Sequence, residues 1–470
     1  MGKPRLVAKP ILTATARHRL APSKLSAPFS RLGRLLMPAY LSSALAFERV
    51  EILSAERILS ELHDFQSGQS RLIVAFRHPY GDEAQLMFHV FENMLPRLAK
   101  KAGRPLLRHP GLRLVHDYAV PLWGNAFIRY LLPRAGALPV YHVRSDTNSL
   151  SQIRAVLKDG PSPLGLAPEG QISYHSETLP RIELGTVRMG FWCASDLARA
   201  GRSEEVRILP ISVHYHYDKR DFHKIHAIVR RLERLVGLEA TPIVKKIPLS
   251  ALLPRLEAVE RHLLSQTEQF YRDTYHYIVP DVIAGETEAD ERQRRWNALL
   301  PAAITVAEYA LGIDPGKEDL VQRMYRVRLE GWSRVKPEEP LNGLSKLELA
   351  LTDRRAGEGW FAMRHMELVD LMSYHDVSYI NVASSCNDNR IVEHTINLLD
   401  LANRLMAGNV SNRPNHIRKK AYIIPGEHIN LTELLPDYRV HPKKTVKIAT
   451  EALATNFIRC IERVPHEENL

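Results

Sequence analysis

Cysteine is nearly absent from this sequence. The 470 residues hold three, Cys193, Cys386 and Cys460, which are far apart and odd in number. That excludes a disulfide framework and a zinc site built on paired cysteines, and makes a reducing compartment the simplest setting. Long apolar runs are missing too: the uncharged stretch LLMPAYLSSALAF at 35–47 is 13 residues long and contains Pro38, whereas a spanning helix needs about 20 apolar residues. No transmembrane helix is expected. There is no P-loop, no G-x-G-x-x-G and no H-E-x-x-H, so neither a cofactor nor a metal is expected. Repeats of fixed period and low-complexity segments are also lacking. Acidic residues are absent before Glu48, while Lys3, Arg5, Lys9, Arg17, Arg19, Lys24, Arg31 and Arg34 fall in the same span.

What is present has the makings of globular domains. The length suffices for two or three cores, and the apolar and charged fractions, 45% and 25%, are near the globular average. A net charge of +11 favours acidic partners such as nucleic acid, anionic lipid or phosphorylated substrates. The basic patch RPNHIRKK at 413–420 lacks the aromatic interleaving of a single-strand nucleic-acid groove, so no nucleic acid is expected. The arm at 1–47 has the Arg and Ser richness of an organellar transit peptide without a secretory core. Two readings of it stay open, a frayed solvated terminus and a segment at an anionic membrane surface.

From 71 to 218, short β-rich runs alternate with helical ones. Strand RLIVAF precedes helix DEAQLMFHVFENMLPRLAKKAG, LRLVHDYAV precedes the broken helix PLWGNAFIRYLL, and ALPVYHV, PLGLA and VRILPISVHYHY follow with helices between. This spacing predicts an α/β fold with its sheet flanked by helices. Beyond about 236 the apolar residues recur at helical spacing, predicting a mostly helical C-terminal region with linkers near GETEADERQ and VKPEEPLNG. The expected domains are therefore an arm at 1–47, an α/β domain at 48–235 and a helical region at 236–470.

In open α/β sheets functional groups gather outside the carboxyl ends of strands. His78 follows the first strand, His142 and Arg144 the third, and Glu169 the fourth. The order RHPYGDEA, GALPVYHVR at 136–144, LAPEGQIS at 166–173 and ILPISV at 208–213 resembles the four ordered blocks of the glycerolipid acyltransferases: H-x4-D, G-A-[IL]-P-V-x-R, F-P-E-G-T-R-S, and an apolar strand ending in V-P-[IV]. The resemblance covers roughly 70–218. It implies a mixed sheet of the glycerol-3-phosphate acyltransferase kind. It also implies transfer of an acyl group from acyl-CoA or acyl carrier protein to a glycerol-phosphate or lysophosphatidate-type acceptor, in phospholipid biosynthesis at the cytoplasmic face of a membrane that the enzyme contacts peripherally.

An alcohol attacking a thioester must lose its proton, and an imidazole of pKa about 6.5 accepts it near neutral pH. His78 is the candidate base. A carboxylate on its other nitrogen fixes the tautomer. The resemblance puts that acid at Glu83, with Asp82 one place early; Glu83 keeps the spacing, and a shifted turn would admit Asp82. Without catalysis, both acids would serve the start of the following helix. For acceptor phosphate the family's arginine position holds His142, and Arg144 lies two residues on, on the same strand face. Pro168, Glu169 and Gly170 match the third block, implying contact with the acceptor, whereas Gln171 and Ile172 depart from it. Those departures motivate a second reading, an inactive lipid-binding protein on the same fold. A third is a metal-dependent hydrolase using His78, Asp82, His214 and His216; Asp218 shares the strand face of His214 and His216.

Overall fold

A computed structural model of the chain describes residues 10–17, 22–124, 126–141, 147–240, 242, 247–278, 287–315, 318–380, 387–406, 408, 413–414 and 416–465. Two compact units divide it. One is an α/β unit formed by described residues of 22–216 and 418–465; the other is helical and takes described residues of 10–17 and 217–417.

The α/β unit is built on eight strands: β1 (Phe47–Ile52), β2 (Ser70–Phe76), β3 (Arg113–Asp117), β4 (Leu138–Val140), β5 (Leu164–Leu166), β6 (Glu205–Tyr217), β7 (Lys419–Pro425) and β8 (Ile429–Asn430). Their order is β1-β7-β6-β2-β5-β3-β4, with β8 on β6. β2 pairs in parallel with β5 and β6, β3 with β4 and β5, and β1 with β7; β8 runs antiparallel to β6. Every residue of β2 is buried, as its unbroken apolar run requires of a parallel strand covered on both faces. The helices Gly185–Arg199 and Pro442–Glu462 join one core with the sheet, in which Val187, Phe191, Leu453 and Phe457 meet Ile73 and Ile208. Pro210 sits opposite Ala75 in β6, and its carbonyl accepts the Gly426 N–H at 2.9 Å.

Three helices lie near this part of the sheet: α1 (Ala27–Ser43) against β1 and α3, α2 (Ala55–Gln66) against β2 and β7, and α3 (Glu83–His89), which follows β2. α3 runs on through a π-helical turn at Val90–Met94 into Leu95–Lys101, one continuous helical run as its sequence period predicts. The run PLWGNAFIRYLL breaks between Val120–Trp123 and Ala126–Arg134.

The helical unit contains Phe222–Leu235, Leu253–Tyr275, Glu288–Leu311, Leu320–Val335, Lys346–Ser373 and Asp388–Leu405. Its starts are set by side chains that satisfy orphan N–H groups. Thr287 and Ser345 form capping boxes with Asp290 and Glu348, and Asn387 accepts the Arg390 N–H. GETEADERQ, read as a linker, thus contains a helix start at its described end.

Two boundaries differ from the sequence expectation. The division at 235/236 moves to 216/217, and residues 418–465 return to the sheet, bringing β7, β8 and the helix KTVKIATEALATNFIRCIERV with them. The arm is divided as well. Thr15 and Arg17 donate to the carbonyls of Val335 and Pro337 in the helical unit, whereas Lys24 and Ser26 donate to those of Pro133 and Arg134 in the α/β unit.

Candidate active site

The site lies where β2 ends. Arg77 still donates to the Ile211 carbonyl of β6; the chain then turns through His78-Pro79-Tyr80-Gly81, and α3 begins at Glu83. Gly81 has φ +110°, a backbone setting that a residue with a Cβ rarely adopts, so the turn depends on glycine there.

Glu83 is wholly buried and receives four hydrogen bonds. Oε2 takes Nδ1–H of His78 at 2.6 Å and the Gly81 N–H at 2.8 Å; Oε1 takes the Tyr80 N–H at 3.0 Å and the Tyr215 hydroxyl. Burial alone would raise this carboxyl, but the bond and charge of His78, the Tyr215 phenol and the Gly81 amide together hold it below the usual range. The pairing fixes the tautomer of His78: with Nδ1–H on the carboxylate, Nε2 is the acceptor. Nε2 has no hydrogen-bond partner among the described residues, and the side chain is 25% exposed. Burial would pull the imidazole down; the Glu83 bond, followed by the charges of Glu83, Glu169 and Asp82, outweighs it and sets His78 above its ordinary value.

Asp82 does not take Glu83's place. Its side chain makes no capping bond to α3, and its Oδ2 lies 3.2 Å from Nζ of Lys419. One methylene decides the matter: the longer Glu83 reaches back over the turn to His78 from within the first turn of α3.

Glu169, just beyond β5, does meet His78, though through the backbone. Its Oε2 accepts the His78 N–H at 3.1 Å and its Oε1 accepts Nε–H of Arg77 at 2.8 Å, with both side chains fully buried. Arg77 spends its remaining donors on the carbonyls of Ser176, His175 and Thr178 at 2.7, 2.9 and 2.7 Å. Both Glu169 oxygens are thus engaged, and the residue orients the His78 segment instead of presenting a free carboxylate to an acceptor. Gly170 has φ +75°, and a Cβ there would sit 2.5 Å from the Glu183 carboxylate. The Ser173 N–H closes the arrangement on the His78 carbonyl at 3.0 Å.

His142 and Arg144 lie outside the described residues. Arg129 is on the helix Ala126–Arg134, as expected, and donates to the Gly124 carbonyl at 2.6 Å. The His214–His216 pair is not brought to His78. His214 is buried with Nε2 2.8 Å from Ser212 Oγ and held well below its usual pKa, first by burial and then by Arg77 and His216. His216 packs edge-on to Tyr422. Asp218 accepts the Arg220 N–H at the start of a 3-10 turn. Among the described residues no group of three or more His, Cys, Asp or Glu side chains has the spacing to hold a metal ion.

Three residues of the site escape the sequence reading, Arg77, Tyr215 and Lys419; of these only Arg77 carries a local signal, a charge directly ending an apolar strand that is buried on both faces.

The arrangement is a buried carboxylate, an imidazole aligned on it, and an open Nε2 at the carboxyl end of the central strand. Chemically it can take a proton from a hydroxyl as that hydroxyl attacks, and return it to a leaving group. Comparison of the chain with protein-family models, curated proteins and solved structures finds no match in any of the three.

Proposed function

We propose that the chain is an O-acyltransferase of the glycerol-3-phosphate acyltransferase kind. It moves a fatty acyl group from a thioester of coenzyme A or acyl carrier protein to the hydroxyl of a glycerol-phosphate or lysophosphatidate-type acceptor. The observation that carries the reading is the His78–Glu83 pair, with Nδ1 locked on a buried carboxylate at 2.6 Å and Nε2 left open. The four sequence blocks supply the rest of the support.

In the reaction the acceptor hydroxyl hydrogen-bonds to Nε2 and gives up its proton as its oxygen attacks the thioester carbonyl. Glu83 stabilises the imidazolium that forms. Collapse of the tetrahedral adduct breaks the carbon–sulfur bond, and the thiolate leaves with the proton returned by His78. The transfer is direct, without an acyl-enzyme. In keeping with that, burial pushes the Cys193 thiol up to about 12 and the Cys460 thiol up to about 11, so neither supplies a thiolate near neutral pH. Arg77 is consumed by Glu169 and three carbonyls, so the guanidinium at Arg144 remains the candidate grip for acceptor phosphate.

Contact with the membrane is peripheral in this reading. Among the described residues no helix is long and apolar enough to cross a membrane. Leu32, Leu35, Leu36 and Tyr40 of α1 are exposed at the spacing of one helical stripe, and α1 follows the basic segment of the chain.

The test is an acceptor panel with labelled acyl thioesters, read by mass spectrometry. Diacyl product from lysophosphatidate, or monoacyl product from glycerol 3-phosphate, is expected. Lipid binding with no product from any acceptor would instead favour an inactive lipid-binding protein.

A further inference from the structure

Lys419 opens β7, opposite Phe47 of β1, and is 1% exposed. A buried ammonium is costly unless it is paired, and this one is enclosed. Its Nζ lies 3.2 Å from Asp82 Oδ2, 4.6 Å from the ring centres of both Phe47 and Tyr80, and 5.7 Å from that of Tyr215. Two of the rings pack on the third, Phe47 and Tyr80 each standing 5.7 Å from Tyr215. Such ring faces attract a cation most strongly when it is desolvated.

The same groups build the cradle of Glu83. Tyr80 supplies the N–H and Tyr215 the hydroxyl that reach Oε1, and Asp82 is the residue before Glu83. These contacts of the ammonium fall on residues that touch or adjoin the carboxylate, or on the ring packed against Tyr215. The lysine that meets these groups lies 336 positions downstream of Glu83 in the sequence.

We infer that Lys419 is a positioning residue for the His78–Glu83 pair, by which the C-terminal segment of the chain completes the site: its ammonium ties Asp82, Tyr80 and Tyr215 together and so keeps the Glu83 carboxylate in line with His78 Nδ1. The inference rests on the acyl-transfer reading for its kinetic consequence and on geometry alone for its structural one. Misalignment of a catalytic group by about 1 Å can cost as much as 10²-fold in rate.

The test uses the full chain and two readouts. The first is the downfield proton resonance of His78 Nδ1–H, assigned by its loss in Glu83→Gln. The second is steady-state acyl transfer. Lys419→Met is expected to broaden or abolish the resonance and to lower kcat about tenfold or more while KM stays near its original value; Lys419→Arg is expected to recover most of both. An unaltered resonance and kcat in a folded Lys419→Met chain would overturn the inference. If Lys419→Met does not fold, the double variant Lys419→Met/Asp82→Asn also removes the carboxylate charge that faces the ammonium, and the resonance in that chain decides in the same way. Should no variant, nor the original chain, turn over any acceptor, the acyl-transfer reading fails by itself, and the resonance still judges the positioning role.

Discussion

At the scale of single residues, the proposed acyl transfer makes His78 and Glu83 the groups that set its pH dependence. The base acts in its neutral form, and its pKa lies above about 6.5 because the Glu83 bond and the nearby carboxylates outweigh burial. Activity should therefore fall as pH drops through that raised value, giving kcat/KM an acid limb on the alkaline side of 6.5. Glu83→Gln removes the bond and charge that raise His78 most and leaves burial opposed only by the charges of Glu169 and Asp82. The limb is expected to move to lower pH, and the maximal rate to fall by roughly 10²- to 10⁴-fold. A pH–rate profile of the two proteins checks this. An unmoved limb would mean that Glu83 does not act on the titrating group.

At the scale of elements, the sheet presents the site, and α1 carries the exposed apolar stripe proposed to meet a membrane surface. β2 could be read from RLIVAF, and with it the position of His78 at the strand's end, because a parallel strand covered on both faces reads as a nearly continuous apolar run, here residues 72–76. The spacing to Glu83 likewise survived folding, since both residues lie on one local turn. What stayed hidden came from elsewhere in the chain. Tyr215 is on β6 and Lys419 on β7, and nothing in HYHYD or RKKAYIIP shows that a phenol or an ammonium of theirs meets position 83 or 82. For α1 the exposed stripe yields its own expectation. Leu35→Glu/Leu36→Glu, which places charges at two exposed positions, should leave the unfolding temperature within a few degrees and reduce sedimentation with anionic phosphatidylglycerol vesicles several-fold. Undiminished sedimentation would exclude α1 as the contact.

At the scale of the whole molecule, the helical unit interrupts the α/β unit in sequence, between β6 and β7. The period-based reading took the C-terminal half as one helical region because its helices dominate the pattern. KKAYIIP, a short apolar run rich in β-branched residues, was the signal that the sheet resumes. Without β7 the sheet is severed between β1 and β6, and the core loses Leu431, Leu453 and Phe457. A chain ending at 417 is accordingly expected to lack a cooperative thermal transition for the α/β unit and to expose apolar surface to a hydrophobic dye. A truncated chain that melts like the full one would contradict this division.

The central claim is that an imidazole at position 78 removes the acceptor's proton. Its most direct test is turnover of lysophosphatidate with a labelled acyl thioester by the original chain and by His78→Ala, under matched folding as judged by circular dichroism. A loss of about 10²- to 10⁴-fold in kcat is the expected result; full turnover by a folded His78→Ala chain would contradict it.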